Sequence, residues 1–183
     1  NLPGALSVIA VSKANNLFNA PETYMDKIAI NTNQKGIVDI DFDIEKNIKN
    51  LAEFLNKDIN QLTACILDRP RHKKIIDKLK ELKVKIKLIS DGDVSGALLV
   101  SNKKYKVDIF LGIGGGPEGV LAAAALDSLG CYFQGKFLFD TEDSINRAKN
   151  MGITDISKKY EIKDIIKGLS LIHISEPTRR TVI

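Results

Sequence analysis

The stretch Asp108-Ile109-Phe110-Leu111-Gly112-Ile113-Gly114-Gly115-Gly116-Pro117-Glu118-Gly119-Val120-Leu121-Ala122-Ala123-Ala124-Ala125-Leu126 decides how the rest of the chain is read. An apolar run with strand character ends in a cluster of glycines, and a helix-forming run of Ala and Leu follows. Pro117 suits the first turn of that helix, where its missing N–H costs nothing. The glycines let the backbone turn tightly or come close to a ligand, and the unpaired N–H groups of the helix start can receive an anion. Glu118 conflicts with that site, because a carboxylate at its mouth repels phosphate. A divalent cation between the two reconciles them. The plainer account is that a first-turn Glu complements the helix field and that such loops are glycine-rich for steric reasons.

A rival pattern shares the stretch. Gly114, Gly116 and Gly119 spell G-x-G-x-x-G, and Asp140 closes the next apolar run about 20 residues on, the spacing of a dinucleotide-binding unit. Glu118 sits where the pyrophosphate would have to pass, so this stays an alternative.

Working outward, two more strand ends carry polar groups. Thr63-Ala64-Cys65-Ile66-Leu67 reads as a strand of β-type residues that ends in Asp68-Arg69-Pro70-Arg71-His72. Two arginines held apart by a stiff proline suit a phosphate clamp, since guanidinium groups match phosphate oxygens bidentately. His72 is equally compatible with a solvated first-turn position and is left out of the site. A helix follows with Ile75, Leu79 and Leu82 on one face, and then Val84, Ile86 and Leu88 alternate with lysines as a strand at the sheet margin. The basic run from Arg69 to Lys87 has no interleaved aromatic platform, so solvated edge charge accounts for it better than nucleic-acid binding does. Ile89-Ser90 leads into Asp91-Gly92-Asp93, where Asp93 can cap the next helix while Asp91 is free to meet sugar hydroxyls or a metal.

Nearer the ends the signals are local. Ala5 to Val11 reads as a strand, Pro21 as a rigid bend, and Tyr24 as a core aromatic or a ligand contact through its hydroxyl. Ile37-Val38-Asp39-Ile40 reads as a strand, after which Asp41 or Asp43 caps a helix whose core face is Ile44, Ile48, Leu51 and Leu55. Tyr132 to Phe139 reads as a strand with a bulge at Gly135, and Thr141-Glu142-Asp143 opens a helix that Gly152 stops. Ile162, Ile165 and Ile166 mark a last short helix. Strands alternate with helices, so the expected fold is a layered α/β domain. If its strands are parallel, the loops starting at Asp68, Asp91 and Gly112 share one edge.

Composition sets outer limits. The chain has 183 residues, 44% hydrophobic and 27% charged with no Trp, enough for one domain with a sizeable core or two small lobes. A net charge of +4 is too small by itself to point to nucleic acid or a membrane. Cys65 and Cys131 lie in apolar surroundings outside any metal-ligand spacing and read as buried thiols in a reducing compartment. No apolar run reaches membrane-spanning length and no secretory signal is visible, so a cytoplasmic protein is the expectation. Asn1 is not an initiator Met and leads straight into a strand, which points to missing upstream sequence. Residues 170–183 differ in composition and read as a foreign, artefactual tail, with no role for His173. The domain expected is therefore 1–169, with its first strand and last helix short of neighbours.

The glycine stretch, together with Asp91-Gly92-Asp93, Arg69-Pro70-Arg71-His72 and Asn19-Ala20-Pro21 with Tyr24-Met25, resembles the bacterial class II fructose-1,6-bisphosphatase family, in order and separation as well as identity. The resemblance runs from Ala5 to about Gly168. It implies a sugar-phosphatase sandwich of α and β layers, incomplete here, and removal of the 1-phosphate of fructose 1,6-bisphosphate in gluconeogenesis. Some relatives also accept sedoheptulose 1,7-bisphosphate. By position it implies a metal ligand at Glu118, for manganese or magnesium, and substrate contacts at Tyr24, Arg69, Pro70, Arg71, Asp91, Gly92, Asp93 and Gly115. The family commonly has Ala where Gly116 stands, and many members have Lys where Arg69 stands. The family's other metal-binding acids and the threonine near its attacking water belong to an amino-terminal portion absent from this chain. No catalytic residue is therefore assigned, and the isolated chain is expected to be inactive, although the parent enzyme is expected to be a homo-oligomer. Beside the truncated bisphosphatase stand two alternatives, the dinucleotide-binding domain and a non-enzymatic polyanion-binding fragment.

Overall fold

Alternation of side chains along the strands sets the layering. The computed structural model describes residues 7–168 and 170–175. In chain order the elements are β1 (Ser7–Ser12), β2 (Tyr24–Ile30), α1 (Ile44–Leu55), β3 (Thr63–Leu67), α2 (Lys73–Glu81), β4 (Lys85–Ile89), α3 (Asp93–Leu98), β5 (Ile109–Gly115), α4 (Gly116–Ser128), β6 (Tyr132–Leu138), α5 (Glu142–Asn150), β7 (Lys159–Glu161), α6 (Ile162–Ile165) and β8 (Ser170–Ser175). Strands β2 to β7 form a six-stranded sheet in the order β4-β3-β5-β2-β6-β7. β3 is parallel to β4 and β5, whereas β2 runs antiparallel to both β5 and β6, and β7 antiparallel to β6. The result is a mixed α/β structure, as the alternation of elements predicts.

Successive residues of a strand face opposite sides, and the two sides carry separate cores. Met25, Ala29, Phe110, Phe133 and Phe137 pack with Ala97 of α3, the Val120–Leu126 stretch of α4 and Ile165 of α6. Ile28, Ile30, Ile109 and Leu111 pack on the other side with Ile48 and Leu51 of α1 and Leu79 of α2. Each large apolar side chain withdrawn fully from water contributes about 1.5–3 kcal/mol. α4 is apolar around most of its circumference, and such a helix must be covered on several sides. It contacts the sheet, α3, α6 and the antiparallel pair of β1 and β8.

Local chemistry fixes the element ends. Asp43 caps α1 by accepting the Lys46 N–H at 2.7 Å, and Thr141 caps α5 with Ser144 returning the bond. Asp108 ties the start of β5 to its neighbours, accepting the Thr63 N–H at 2.8 Å and an ion pair from Lys57 at 2.6 Å. Cys65 and Cys131 are buried free thiols, and burial pushes both up to about 11. At the exposed margin, β4 presents Lys85 and Lys87, charges that discourage pairing with another chain.

Several expectations need correction. Residues 37–40 form no strand. The side chain of Asn47 pairs with the backbone of Asp39 in both directions, at 2.8 and 2.9 Å, and Gln134 Oε1 accepts the Ile40 N–H at 2.8 Å. Side chains therefore satisfy the groups that a ladder would have used. β6 has no bulge, since its register with β2 runs unbroken from Tyr24–Leu138 to Ile30–Tyr132. Gly135 is required for space instead, because a Cβ there would lie 2.5 Å from Met25 Sδ. β1 does have a neighbour, β8, and α6 packs on α4 with Ile165 fully buried. Of the segment expected to be foreign, residues 170–175 form β8, while residues 176–183 lie outside the described residues.

Candidate functional site

Because β3, β4 and β5 are parallel, the segments after them lie at one edge of the sheet, where open α/β folds place ligands. The shared edge expected from the sequence is therefore present. β2 runs the other way and begins there with Tyr24, and β6 ends there just before Asp140.

β5 enters α4 without a loop. Gly112, Gly114 and Gly115 belong to the strand and Gly116 is the first helical residue, so the glycines do not form the expected turn. They permit close approach: a Cβ on Gly114 would lie 2.6 Å from Asp93 Cγ, and one on Gly115 would lie 2.8 Å from Glu118 Cδ. Thr23 O accepts the Gly116 N–H at 2.8 Å, and Pro117 has none to give. The helix start thus offers an anion fewer donors than the sequence suggests.

The basic segment after β3 is anchored to β5. Arg71 Nε donates to Ile113 O at 2.8 Å, and its guanidinium carbon lies 5.0 Å from the centre of the Tyr24 ring. Stacking on an aromatic face leaves the terminal nitrogens aimed along the plane and able to take a phosphate. Pro70 opens the short helical turn Pro70–His72 that aims both arginines. Arg69 Nη1 donates to Asp68 O at 3.1 Å, and its Nη2 lies 3.6 Å from Asp91 Oδ1. The Asp91 side chain is 82% exposed, so that carboxylate stays open to solvent. His72 is not solvated but fully buried. Its Nε2 accepts the Ile113 N–H at 2.8 Å, and its Nδ1 lies 2.7 Å from Leu67 O. These partners assign the proton to Nδ1 and make His72 a neutral brace between β3 and β5.

Gly92 has φ +90°, the left-handed turn that starts α3 and that a side chain would strain. Asp93 does not cap this helix. It is the first helical residue, and its carboxylate turns inward to an ion pair with Lys27. Lys27 Nζ also donates to Gly115 O at 2.7 Å. The sequence reading passed over Lys27 and its neighbour Asp26, both set inside an otherwise ordinary strand. Burial lowers the Lys27 ammonium from its usual value, with Asp93 and Glu118 opposing that shift. Burial likewise raises Asp26 to about 6 against the pull of Lys27 and Lys136. The only signal available was a lysine on the face that Met25 and Ala29 mark as core.

An open cleft of 470 Å³ lies beside α4, lined by Tyr24, Gly115, Glu118, Asp140 and Arg147 among others. It gathers Tyr24, Gly115 and Glu118 from the expected site. Arg69, Pro70, Arg71 and Asp91–Asp93 do not line it, and the Arg71–Tyr24 stack joins their end of the edge to it. A larger cavity of 620 Å³ lies at the opposite end of the sheet, between Ile30, Thr63, Lys85 and Asp108.

The family described as bacterial fructose-1,6-bisphosphatase, glpX-encoded, matches residues 1–175. The chain belongs to this family. It is 37% identical over 182 residues to a D-fructose 1,6-bisphosphatase class 2/sedoheptulose 1,7-bisphosphatase of Synechococcus elongatus, covering 93% of this chain and 53% of that protein. A Prochlorococcus marinus (strain MIT 9515) protein of the same name is 39% identical over 185 residues, covering 94% and 56%. One from Trichodesmium erythraeum is 34% identical over 181 residues, covering 92% and 52%. The chain spans about half the length of the curated relatives it matches.

Topology removes the dinucleotide alternative. A dinucleotide unit needs its two strands adjacent and parallel, but antiparallel β2 lies between β5 and β6. The carboxylates of Asp93 and Glu118 also fill the space beside Gly114 and Gly115 that a pyrophosphate needs. As for a metal, no three His, Cys, Asp or Glu side chains converge among the described residues. Glu118 is exposed and can supply one carboxylate, which is not by itself a divalent-metal site. No helix among the described residues is long and apolar enough to cross a membrane.

Proposed function

We propose that this chain supplies the sugar-phosphate seat of a class II fructose-1,6-bisphosphatase. The reaction of the whole enzyme is hydrolysis of the 1-phosphate of fructose 1,6-bisphosphate, with sedoheptulose 1,7-bisphosphate as a second substrate, as the names of its relatives indicate. One observation carries the reading: parallel strands deliver Arg69 and Arg71, Asp91, and Gly115 with Glu118 to the edge where β2 presents Tyr24 under the Arg71 guanidinium.

In this reading Arg71 takes a phosphate through its terminal nitrogens, since its Nε is already committed to Ile113 O. Arg69 adds charge, and Pro70 holds the spacing. Asp91 accepts sugar hydroxyl hydrogen bonds, Gly92 gives the turn that exposes it, and the Tyr24 hydroxyl, on a residue 51% exposed, borders the ligand. Gly115 lets the ligand approach the backbone, and Asp93 shapes the seat from behind. Glu118 is one ligand of a manganese or magnesium ion whose other ligands lie outside the described residues. When bound, that cation neutralises the charge of the phosphoryl group.

A polyanion-binding reading gains no support. Lys73 pairs with Asp77 and Lys78 with Glu45 and Glu81, so part of the basic run is already neutralised on α2. Titration of the chain with fructose 1,6-bisphosphate, read by calorimetry beside an Arg71→Ala control, tests the proposal. Saturable binding that weakens in the variant supports it. Absence of binding, or binding indifferent to Arg71, sinks it.

A further inference from the structure

Lys27 is 1% exposed, and the charge at its tip is spent entirely inside the protein. Its stem runs under α4, where Gly119 leaves room for it: a Cβ there would lie 3.1 Å from Lys27 Cε. The ammonium meets the Asp93 carboxylate and the Gly115 carbonyl. These two acceptors belong to different segments, one the first turn of α3 and the other the junction of β5 and α4. The second carboxylate oxygen, Asp93 Oδ1, is buried without a hydrogen-bond partner among the described residues. A carboxylate held this way is oriented by Lys27 alone. An apolar residue would fill the space under Gly119 without desolvating a charge, so simple packing does not account for a lysine.

We propose that Lys27 is a positioning residue, its buried ammonium locking the Asp91–Asp93 turn and the Gly115–Glu118 strand-to-helix junction at a fixed separation. This rests on the sugar-phosphate reading, because those segments carry the sugar contact and the carboxylate of the proposed seat. The lock comes from β2, which is paired on both sides, between β5 and β6. Both segments are thereby referred to one interior strand of the sheet rather than to each other. Asp93 acts through Lys27 and the backbone, not by touching the ligand with its inward oxygen.

Two variants of the chain test this, Lys27→Met and Lys27→Met/Asp93→Asn. The double variant removes both charges, so no uncompensated ion stays buried, and Asn keeps an oxygen at the same place. Each is measured by thermal melt, by the amide ¹H–¹⁵N signals of Gly92, Gly115 and Glu118, and by fructose 1,6-bisphosphate titration. Lys27→Met is expected to melt well below the parent chain. The double variant is expected to recover most of that loss while those amides stay displaced and its sugar-bisphosphate affinity stays at least about tenfold down, equivalent to about 1.4 kcal/mol. Recovery of stability, amide positions and affinity together would show that Lys27 merely neutralises Asp93, and would overturn the proposal. If the parent chain binds no fructose 1,6-bisphosphate, the sugar-phosphate reading falls by itself. The amide positions in the double variant then still decide the lock, displaced amides supporting it and parent-like amides overturning it.

Discussion

His72 Nε2 accepts the backbone N–H of Ile113 at 2.8 Å. The residue before it, Arg71, donates from Nε to the carbonyl of the same Ile113, also at 2.8 Å. Two consecutive side chains after β3 thus grip one residue of β5, and the aim of Arg71 depends on that grip. His72→Ala would strand the partly buried Ile113 N–H, while the Leu67 carbonyl keeps the Arg69 N–H at 3.0 Å, and one stranded group costs about 1–3 kcal/mol. A loss of roughly 1–3 kcal/mol in urea unfolding, with a mobile Arg71 side-chain signal, is the expected result. A variant as stable as the parent would mean that the brace is replaced by water or is dispensable.

Asp26 gives a pH dependence with a definite sign. Burial raises its folded value to about 6 from 3.8, so between those two values the native state holds more proton than the unfolded chain. Stability contributed at this position therefore rises as pH falls from above 6 towards 4, and is lost again on going up through 6. A shift of this size corresponds to about 2–3 kcal/mol between the two protonation states, less whatever solvent screening removes. Asp26→Asn should raise the melting temperature at pH 7.5 and flatten the curve between pH 4 and 6. Parallel curves for variant and parent would show that Asp26 titrates normally.

The two arginines are unequal in the structure, and their variants should be unequal too. Arg71 is fixed by Ile113 O and the Tyr24 ring, so its phosphate contact is pre-oriented. Arg71→Ala should weaken fructose 1,6-bisphosphate binding by roughly tenfold to a hundredfold, the range of a charge-assisted hydrogen bond. Arg69 reaches the carbonyl of its own neighbour Asp68 at 3.1 Å and an exposed Asp91 at 3.6 Å, so Arg69→Lys should cost little. Calorimetric affinities with matched thermal melts check both, and equal losses at the two positions would contradict the clamp.

How much of this was legible depends on range. The strand ends at Leu67 and Ile89 follow from local pattern, although β5 runs on through the glycines to Gly115, and Asp43 and Thr141 announce their caps within a few residues. Their convergence needed only the parallel pairing of β3, β4 and β5. The long-range pairings were hidden. Nothing in Ile37-Val38-Asp39-Ile40 says that Asn47 and Gln134 will satisfy that backbone. His72 looked like one more polar residue in a basic turn, because its partner Ile113 lies 41 residues away on another strand. Lys27 was hidden for the same reason, since its acceptors at Asp93 and Gly115 are distant in sequence. The glycines were read for conformational freedom, whereas side chains of other segments crowd Gly114, Gly116 and Gly119.

Glu118 permits a test whose sign reverses with metal. Its exposed carboxylate lies in the first turn of α4 and lines the 470 Å³ cleft with Tyr24 and Gly115. Without a divalent cation that carboxylate repels a phosphate bound beside it. Glu118→Gln, which keeps the size and removes the charge, should then tighten fructose 1,6-bisphosphate binding in the presence of chelator. With manganese in excess, the parent chain should gain affinity because the ion joins carboxylate and phosphate, and the variant should gain much less. A Glu that only complements the helix field would change stability by about 0.3–1 kcal/mol and would leave the manganese response the same in both proteins. Titrations of both chains with and without manganese, alongside circular dichroism to verify the fold, separate these cases. An identical manganese response would remove Glu118 from the metal ligands and leave the phosphate seat to the arginines alone.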